Sequence, residues 1–187
     1  MSENFTITQE KISNINIIKN SPKKVITEQP GIIEVYADNF IEEIKTISTL
    51  IEEYNYIGMD TEFPGTVYCI NNFTPDFYYK TLKLNVESLK LIQLGITLTN
   101  SKGEYPKNYP YHTWQFNLEF DINNDKYAQN SLNLLINSGI DFNKLKKNGI
   151  KHKDFAEYFM ISGLVLNPIL IGLVFMVPMI LVIYFIY

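Results

Sequence analysis

The feature that most limits the fold of this chain is its charge-free C-terminal end. No Asp, Glu, Lys, Arg or His occurs from residue 158 to residue 187, and 20 of the 24 residues from 164 to 187 are apolar. In the rest of the chain roughly 40% of the residues are apolar, as in soluble globular domains. The sequence therefore predicts a soluble body that carries a hydrophobic tail.

The composition of the 187-residue chain excludes several classes of protein. Its 13 Tyr and 12 Phe exclude a mainly disordered chain. Its single cysteine, Cys69, excludes an intramolecular disulfide and disfavours a cysteine zinc site. The net charge is −4 and the 16 basic residues, all lysines, form no basic cluster, which disfavours nucleic-acid binding through a general coat of phosphate contacts. A site that binds nucleic acid through metal ions needs no such cluster.

The N-terminal end differs in composition from the body. Residues 1–30 are rich in Asn, Ser, Thr and Lys and contain no apolar run, so they are not a secretory signal. We expect a flexible extension that ends at residue 33, followed by one domain over residues 34–166.

Hydrophobic periodicity in the body predicts a mixed α/β fold. Apolar residues recur at helical spacing from Phe40 to Tyr54, and Asn39 with Glu42 resembles a capping box. From His112 to Phe120 apolar and polar residues alternate, as in a half-buried strand. We expect helices at 39–54, 78–89, 127–137, 141–147 and 151–161, and strands at 56–63, 90–99 and 112–120.

Turn and cap residues add detail to this outline. The turn at residues 101–103 would let the strands 90–99 and 112–120 pair antiparallel. Gly139 and Gly149 follow predicted helices at positions where C-terminal caps are common.

Two carboxylates on one predicted strand carry the chemistry. In the strand that contains Asp60 and Glu62, alternation places both side chains on one face, roughly 6.5–7 Å apart along the strand. Hard divalent cations prefer carboxylate oxygens, and two-metal phosphodiester hydrolysis uses ions about 3.5–4 Å apart. The same spacing also occurs on solvated strand faces, so the pair alone leaves both interpretations open.

The residues around this pair are more specific. The segment Met59-Asp60-Thr61-Glu62-Phe63-Pro64-Gly65 closely resembles the first motif of the Caf/Pop family of poly(A)-specific ribonucleases. These enzymes are the deadenylase subunits of the CCR–NOT complex and belong to the DEDD group of 3′–5′ exonucleases. The resemblance continues, in the same order, through residues 85–95 (NVESLKLIQLG), 103–106, 113–117, 127–131, 138–140 and 155–166.

This resemblance implies a fold, a reaction and site residues. It implies a ribonuclease-H-like mixed sheet surrounded by helices, and stepwise hydrolysis of a 3′ poly(A) tail with two Mg²⁺ or Mn²⁺ ions. Asp60 and Glu62 match the first two carboxylates of the DEDD set, as catalytic residues and metal ligands. Phe63 is a candidate base-stacking wall, with a core role as the alternative. Trp114, Phe116 and Tyr127 are expected in the core.

The sequence departs from the family after residue 166. The family continues into a His-Ser-Gly-Tyr-Asp-type segment that supplies the third carboxylate, and a later helix supplies the fourth with a nearby histidine. Residues 167–187 match neither, and His112 and His152 lie outside the expected catalytic segment. The fold is therefore expected to be incomplete at its C-terminal end, and this chain is expected to be inactive alone.

The hydrophobic tail has two interpretations. As a helix, the 24 residues from 164 to 187 would be about 36 Å long, enough to cross a bilayer core of about 30 Å, and Lys151 and Lys153 precede it as cytosolic flanking charges would. Alternatively, residues 167–187 are translated non-coding sequence, such as a retained intron or a shifted frame. The abrupt loss of resemblance favours the second.

Three functions remain to be separated. The chain is a deadenylase, a non-catalytic binding module of the CCR–NOT complex, or a tail-anchored membrane protein. The resemblance implies poly(A) RNA and the CCR–NOT scaffold and nuclease subunits as partners, and the nucleus and cytoplasm as the location; a membrane is a partner only if the tail is genuine.

Overall fold

The computed structural model of this protein describes residues 31–69 and 74–174. In chain order they form β1 (Gly31–Val35), α1 (Phe40–Leu50), β2 (Tyr56–Glu62), α2 (Pro75–Ser88), β3 (Gln93–Thr99), β4 (Tyr111–Asn117), α3 (Gln129–Asn137), α4 (Phe142–Asn148), α5 (His152–Ile161) and β5 (Ile171–Val174). The extension predicted at residues 1–30 lies outside the described residues.

The five strands form one mixed sheet in the order β1-β4-β3-β2-β5. β2 with β3 and β3 with β4 pair antiparallel, whereas β1 with β4 and β2 with β5 pair parallel. The antiparallel pairing expected for the strands at 90–99 and 112–120 is therefore confirmed, with narrower bounds. β2, which carries Asp60 and Glu62, has a neighbouring strand on each side.

Apolar side chains of the sheet and of α1 form the larger core. Trp114 and Phe116 are fully buried, because alternation along β4 directs both toward α1. Ile44 and Ile47 of α1 meet them there. The core role expected for Trp114 and Phe116 is confirmed, and Tyr127 packs, half-buried, against a second core cluster. The buried members of that cluster are Ile92, Phe120, Leu132, Leu135, Phe142 and Leu145.

Both ends of α1 differ from the prediction. The helix ends at Leu50 and residues 51–53 form a turn, so the predicted end at 54 was wrong. The capping box was wrong as well, since Asn39 makes no side-chain bond to the helix. Its Oδ1 accepts from Tyr36 N at 2.8 Å and its Nδ2 donates to Glu34 O at 3.0 Å. Asn39 therefore closes the turn between β1 and α1 instead of capping the helix.

The two predicted glycine caps behave differently. Gly139 follows α3 with a φ of +99°, the left-handed conformation of a helix C-terminal cap. Gly149 ends α4 with a φ of −61°, which any residue can adopt. Its importance is spatial, because a Cβ there would collide with Leu145 O and with the backbone of Glu119.

A carboxylate is buried in the larger core. Glu43 of α1 is 3% exposed and accepts hydrogen bonds from Tyr111 Oη at 3.0 Å and from Trp114 Nε1 at 3.0 Å. Burial and the neighbouring Glu43 charge raise the pKa of the Tyr111 phenol above its usual value, so it stays a donor. These bonds tie α1 to β4, because a buried carboxylate needs such donors.

Two strands were not expected from the sequence. β1 begins inside the range 1–33 assigned to the extension, and β5 lies inside the range 167–187 assigned to the tail. β5 pairs in parallel with β2, from Tyr56 opposite Ile171 to Met59 opposite Val174. Among the described residues no helix is long and apolar enough to span a bilayer, and the rest of the proposed span, residues 175–187, lies outside them.

Candidate active site

The predicted carboxylate pair lies at the C-terminal end of β2. Ile57 and Met59 are buried, whereas Asp60 and Glu62 are exposed, as the alternation along the strand predicts. The structure therefore brings both predicted metal ligands to one exposed face. Gly95 lies opposite Asp60 in the β3 register, so β3 places no side chain directly opposite this residue.

The backbone around the pair is held by hydrogen bonds. Ile92 N donates to Glu62 O at 2.9 Å, which continues the pairing with β3 to the last residue of β2. Thr61 N donates to Asp60 Oδ1 at 2.9 Å. Because the carboxylates stand on a paired strand rather than on a loop, their backbone positions are fixed before any ligand binds.

The two carboxylates affect each other electrostatically. Partial burial raises the pKa of Glu62 above its usual value, and the negative charge of Asp60 raises it further. A divalent cation between the side chains would relieve this repulsion, since it offsets both charges. The donor set therefore fits a hard cation of the Mg²⁺ or Mn²⁺ type.

The described residues provide only part of a ligand set. Within residues 31–69 and 74–174, no cluster of three or more His, Cys, Asp or Glu side chains could hold a metal ion. The two histidines are engaged elsewhere: His152 Nε2 lies 2.9 Å from Leu91 O, and the His112 ring stacks on Tyr105 with the ring centroids 3.8 Å apart. Asp60 and Glu62 would thus hold a cation together with water or further ligands.

The loop after β2 is packed tightly against α3. Pro64 O accepts a hydrogen bond from Ala128 N at 2.9 Å. Gly65 has a φ of +87°, and a Cβ at this position would collide with Ser131. Phe63, the predicted stacking residue, is half-buried and packs against the larger core, so much of its ring serves packing.

A buried amide holds the far end of this loop. Asn85 of α2 is 2% exposed, and its Oδ1 accepts from Val67 N at 2.9 Å and from Tyr68 N at 3.0 Å. Its Nδ2 donates to Tyr68 O at 2.8 Å and to Thr81 O at 3.0 Å. All four hydrogen-bonding positions of the amide are therefore used.

Sequence reasoning missed the role of Asn85. The signal was present, because Asn85 lies three residues after Leu82 and four before Leu89, on the apolar stripe of the predicted helix. If the predicted helix is correct, a polar residue on its apolar stripe is buried and needs hydrogen-bond partners.

The chain is similar in sequence to ribonucleases of one family. The family model described as "CAF1 family ribonuclease" matches residues 35–161. The chain is 44% identical over 137 residues to the poly(A) ribonuclease pop2 of Schizosaccharomyces pombe, an alignment that covers 72% of this chain and 40% of the relative. It is 45% identical over 142 residues to the probable CCR4-associated factor 1 homolog 7 of Arabidopsis thaliana, covering 72% of this chain and 51% of the relative. The chain thus spans about half the length of the curated relatives it matches.

Solved structures give the same result for the fold. The Mg²⁺- and Mn²⁺-bound form of S. pombe Pop2p matches with a TM-score of 0.75 and 40% identity, covering 82% of this chain and 61% of that one. A yeast CAF1 co-crystallized with the NOT1 MIF4G domain matches with a TM-score of 0.61 and 31% identity, covering 76% of this chain and 52% of that one. The family match at residues 35–161 includes β2 and the loop that follows it.

Proposed function

The chain belongs to the CAF1 family of ribonucleases, and on that premise we propose that its domain is a 3′–5′ exoribonuclease that shortens poly(A) tails of mRNA. The observation that carries the proposal is the pair Asp60 and Glu62, exposed side by side on a paired strand with the Glu62 pKa raised. The Mg²⁺ and Mn²⁺ reported for the S. pombe relative support divalent ions as cofactors.

The roles of this chain's residues follow from their placement. Asp60 and Glu62 would hold the metal ions. Pairing with β3, extended by the hydrogen bond from Ile92 N to Glu62 O, keeps their strand fixed. Two divalent ions, when bound, activate water and stabilise the leaving 3′ oxygen. Phe63 presents the part of its ring that the core does not cover, as a wall for a terminal base.

Activity of the native protein tests this proposal. The protein would be purified through an N-terminal tag from its own organism and given labelled oligo(A) with millimolar Mg²⁺ or Mn²⁺. We expect stepwise shortening that Asp60→Ala abolishes, because loss of a ligand to both ions removes nucleophile activation and leaving-group stabilisation together. An Asp60→Ala protein with near-normal turnover would refute the role of Asp60.

If the product made in the organism continues, in place of residues 167–187, into the family segment that carries the missing carboxylates, residues 1–187 alone should behave differently. The described residues offer two carboxylates, Asp60 and Glu62, which leave most of the six positions of each Mg²⁺ to water, so we expect weak Mg²⁺ binding and no shortening of oligo(A). Shortening by this polypeptide that disappears in Asp60→Ala would contradict this expectation.

A second function is favoured by one observation, the two-carboxylate ligand set of the described residues. In that case the domain is a non-catalytic module of a CCR–NOT complex, consistent with the NOT1 MIF4G domain bound to the yeast relative. Native protein that copurifies with a NOT1-type scaffold but never shortens oligo(A) would establish the module instead of the enzyme. For either function we propose a location in nucleus and cytoplasm, which a fluorescent fusion would test.

A further inference from the structure

A lysine and a tyrosine meet at the end of the loop that follows the carboxylates. Lys126 Nζ donates a hydrogen bond to Tyr68 Oη at 3.0 Å and lies 5.4 Å from the centroid of the Tyr68 ring. Lys126 is exposed and Tyr68 is partly exposed. Side-chain hydrogen bonds with Lys126 and Ser88 and the charge of Lys126 lower the pKa of the Tyr68 phenol.

Both residues are held in place from the protein side. Asn85 fixes Tyr68 through its backbone N and O. Lys126 lies two residues before Ala128, whose N–H is bonded to Pro64 O. The backbone of Tyr68 and the backbone two residues after Lys126 are thus held by contacts within the protein, so the location of the pair does not depend on a ligand.

The charges around the pair leave Lys126 available to an anion. Asp125 pairs with Lys90 at 2.7 Å, and Asp121 pairs with Lys146 at 2.9 Å. Lys126 takes part in no ion pair among the described residues. Other lysines therefore neutralise Asp121 and Asp125, the acidic residues just before Lys126. The charge of Lys126 faces solvent next to an aromatic ring.

The pair is close to the carboxylates along the chain. Tyr68 follows Glu62 by six residues, so their Cα atoms are at most about 21 Å apart. A single strand whose 3′ end lies at Asp60 and Glu62 reaches this distance within a few nucleotides. Proteins that bind single-stranded nucleic acids combine cationic side chains, which contact the phosphates, with exposed aromatic rings, which stack on the bases.

We propose that Lys126 and Tyr68 form a binding site for single-stranded nucleic acid, in which Lys126 contacts a backbone phosphate and Tyr68 stacks on a base upstream of the 3′ end. The site rests on the proposed nuclease function, whose substrate it would hold. It is separate from the carboxylates and acts on affinity rather than on the chemical step.

Equilibrium binding tests this site without hydrolysis. The full chain, kept in non-ionic detergent with EDTA, would be titrated into fluorescein-labelled oligo(A) and followed by anisotropy. Lys126→Gln should weaken binding about fivefold at 0.1 M monovalent salt and reduce the slope of log Kd against log salt by about 0.7, as expected for one lost phosphate contact to a single strand. Tyr68→Ala should weaken binding at least about fivefold through lost stacking.

Matched variants separate this site from general electrostatics. Lys153→Gln removes the same charge from an exposed position on α5 and should leave the affinity unchanged. Tyr68→Phe keeps the ring and loses the hydroxyl, so it should retain most of the affinity that Tyr68→Ala loses. Equal losses in Lys126→Gln and Lys153→Gln, or wild-type affinity in Tyr68→Ala, would overturn the site.

The native protein distinguishes failure of the site from failure of the function. If wild-type protein shortens oligo(A) and Lys126→Gln raises KM with kcat unchanged, both proposals stand. Shortening with an unchanged KM in Lys126→Gln overturns the site alone. Wild-type protein that neither binds nor shortens oligo(A) overturns the nuclease function and the site together.

Discussion

At the level of single residues, the loop after the carboxylate strand tolerates little substitution. Pro64 is bonded through its carbonyl to Ala128, Gly65 lies against Ser131, and Asn85 bonds the backbone of Val67 and Tyr68. Asn85 belongs to α2, whereas Ser131 belongs to α3 and Ala128 is the N-cap of α3, so the loop joins β2 to α2 and α3. A rigid loop fixes the position of Phe63 and of the other residues that follow Glu62.

Gly65 offers a sharp test of this packing. Gly65→Ala should destabilise the fold in two ways, by about 1–2 kcal/mol for a left-handed backbone and by about 1–3 kcal/mol more for crowding against Ser131. Urea unfolding of the purified domain would measure the free-energy difference. The matched control is Gly103→Ala, which has a similar φ of +75° but nothing within 4 Å of its Cβ, and which should show the backbone cost alone. Equal losses in the two variants would show that the Ser131 contact is not tight.

Sequence alone located the carboxylates but not the residues that support them. Asp60 and Glu62 belong to a local motif with a period of two, which is readable along the chain. Apart from Thr81, the partners of Asn85 and Glu43 lie 17 to 71 residues away, and such partners follow only from the fold. Burial of a polar side chain could be suspected from its place on an apolar stripe, but its partners could not.

At the level of elements, the N-terminus of α5 is attached to the segment before β3 by a histidine. His152 Nε2 lies 2.9 Å from Leu91 O, and with Nε2 protonated the neutral ring donates this bond. Burial lowers the pKa of His152; the Leu91 carbonyl and the nearby Asp125 and Glu119 oppose the shift, while Lys90 adds to it. The folded state therefore disfavours the charged imidazolium.

This shift predicts a pH dependence of stability. The unfolded chain binds the proton more readily than the folded chain, so the contribution is fully present above the unfolded pKa of about 6.5. It is lost as the pH falls through the lower folded value. Thermal melts should show Tm decreasing from pH 7 to pH 5, and less steeply in His152→Gln, where an amide can still donate to Leu91 O. His112, whose pKa burial also lowers, accounts for part of the remaining slope. An unchanged slope in His152→Gln would contradict this assignment.

Helices and strands in which apolar residues recur at a regular spacing were predicted from the sequence. Strands that are short, or in which nearly every residue is apolar, were missed. Apolar and polar residues alternate along β4, and its side chains Trp114 and Phe116 are buried, as expected. β1 has only five residues after a polar stretch, and β5 lies in a run where nearly every residue is apolar. A period of two cannot be detected in such a run, so pairing with β2 was visible only in the structure.

At the level of the whole molecule, β5 is an edge strand of the sheet that the described residues form, and exposed apolar residues lie around it. Leu166 is 90% exposed, Ile169 is 64% exposed and Ile171 is 47% exposed. The sequence supplies no charge in this region, although charged side chains are a common protection of sheet edges against pairing with another chain. The edge therefore favours association between molecules.

Residues 1–187 produced without detergent should self-associate. Ile171→Lys should increase the monomer fraction in size-exclusion chromatography with light scattering, because a charge on the edge opposes strand pairing. Leu134→Lys is the control, since Leu134 is 69% exposed but lies on α3. A monodisperse wild-type monomer that melts cooperatively would contradict this prediction.

The parallel pairing of β2 with β5 also sets the order in which the sheet can be completed during synthesis. Asn55 Nδ2, next to β2, bonds Ile169 O, 114 residues later in the chain. At about 5–20 residues per second, a ribosome needs roughly 6–23 s to make that stretch. During this interval β3 and β4 can join β2 on one side while its other edge has no partner. The nascent chain is therefore the state in which the carboxylate strand is most open to chaperones and to mispairing.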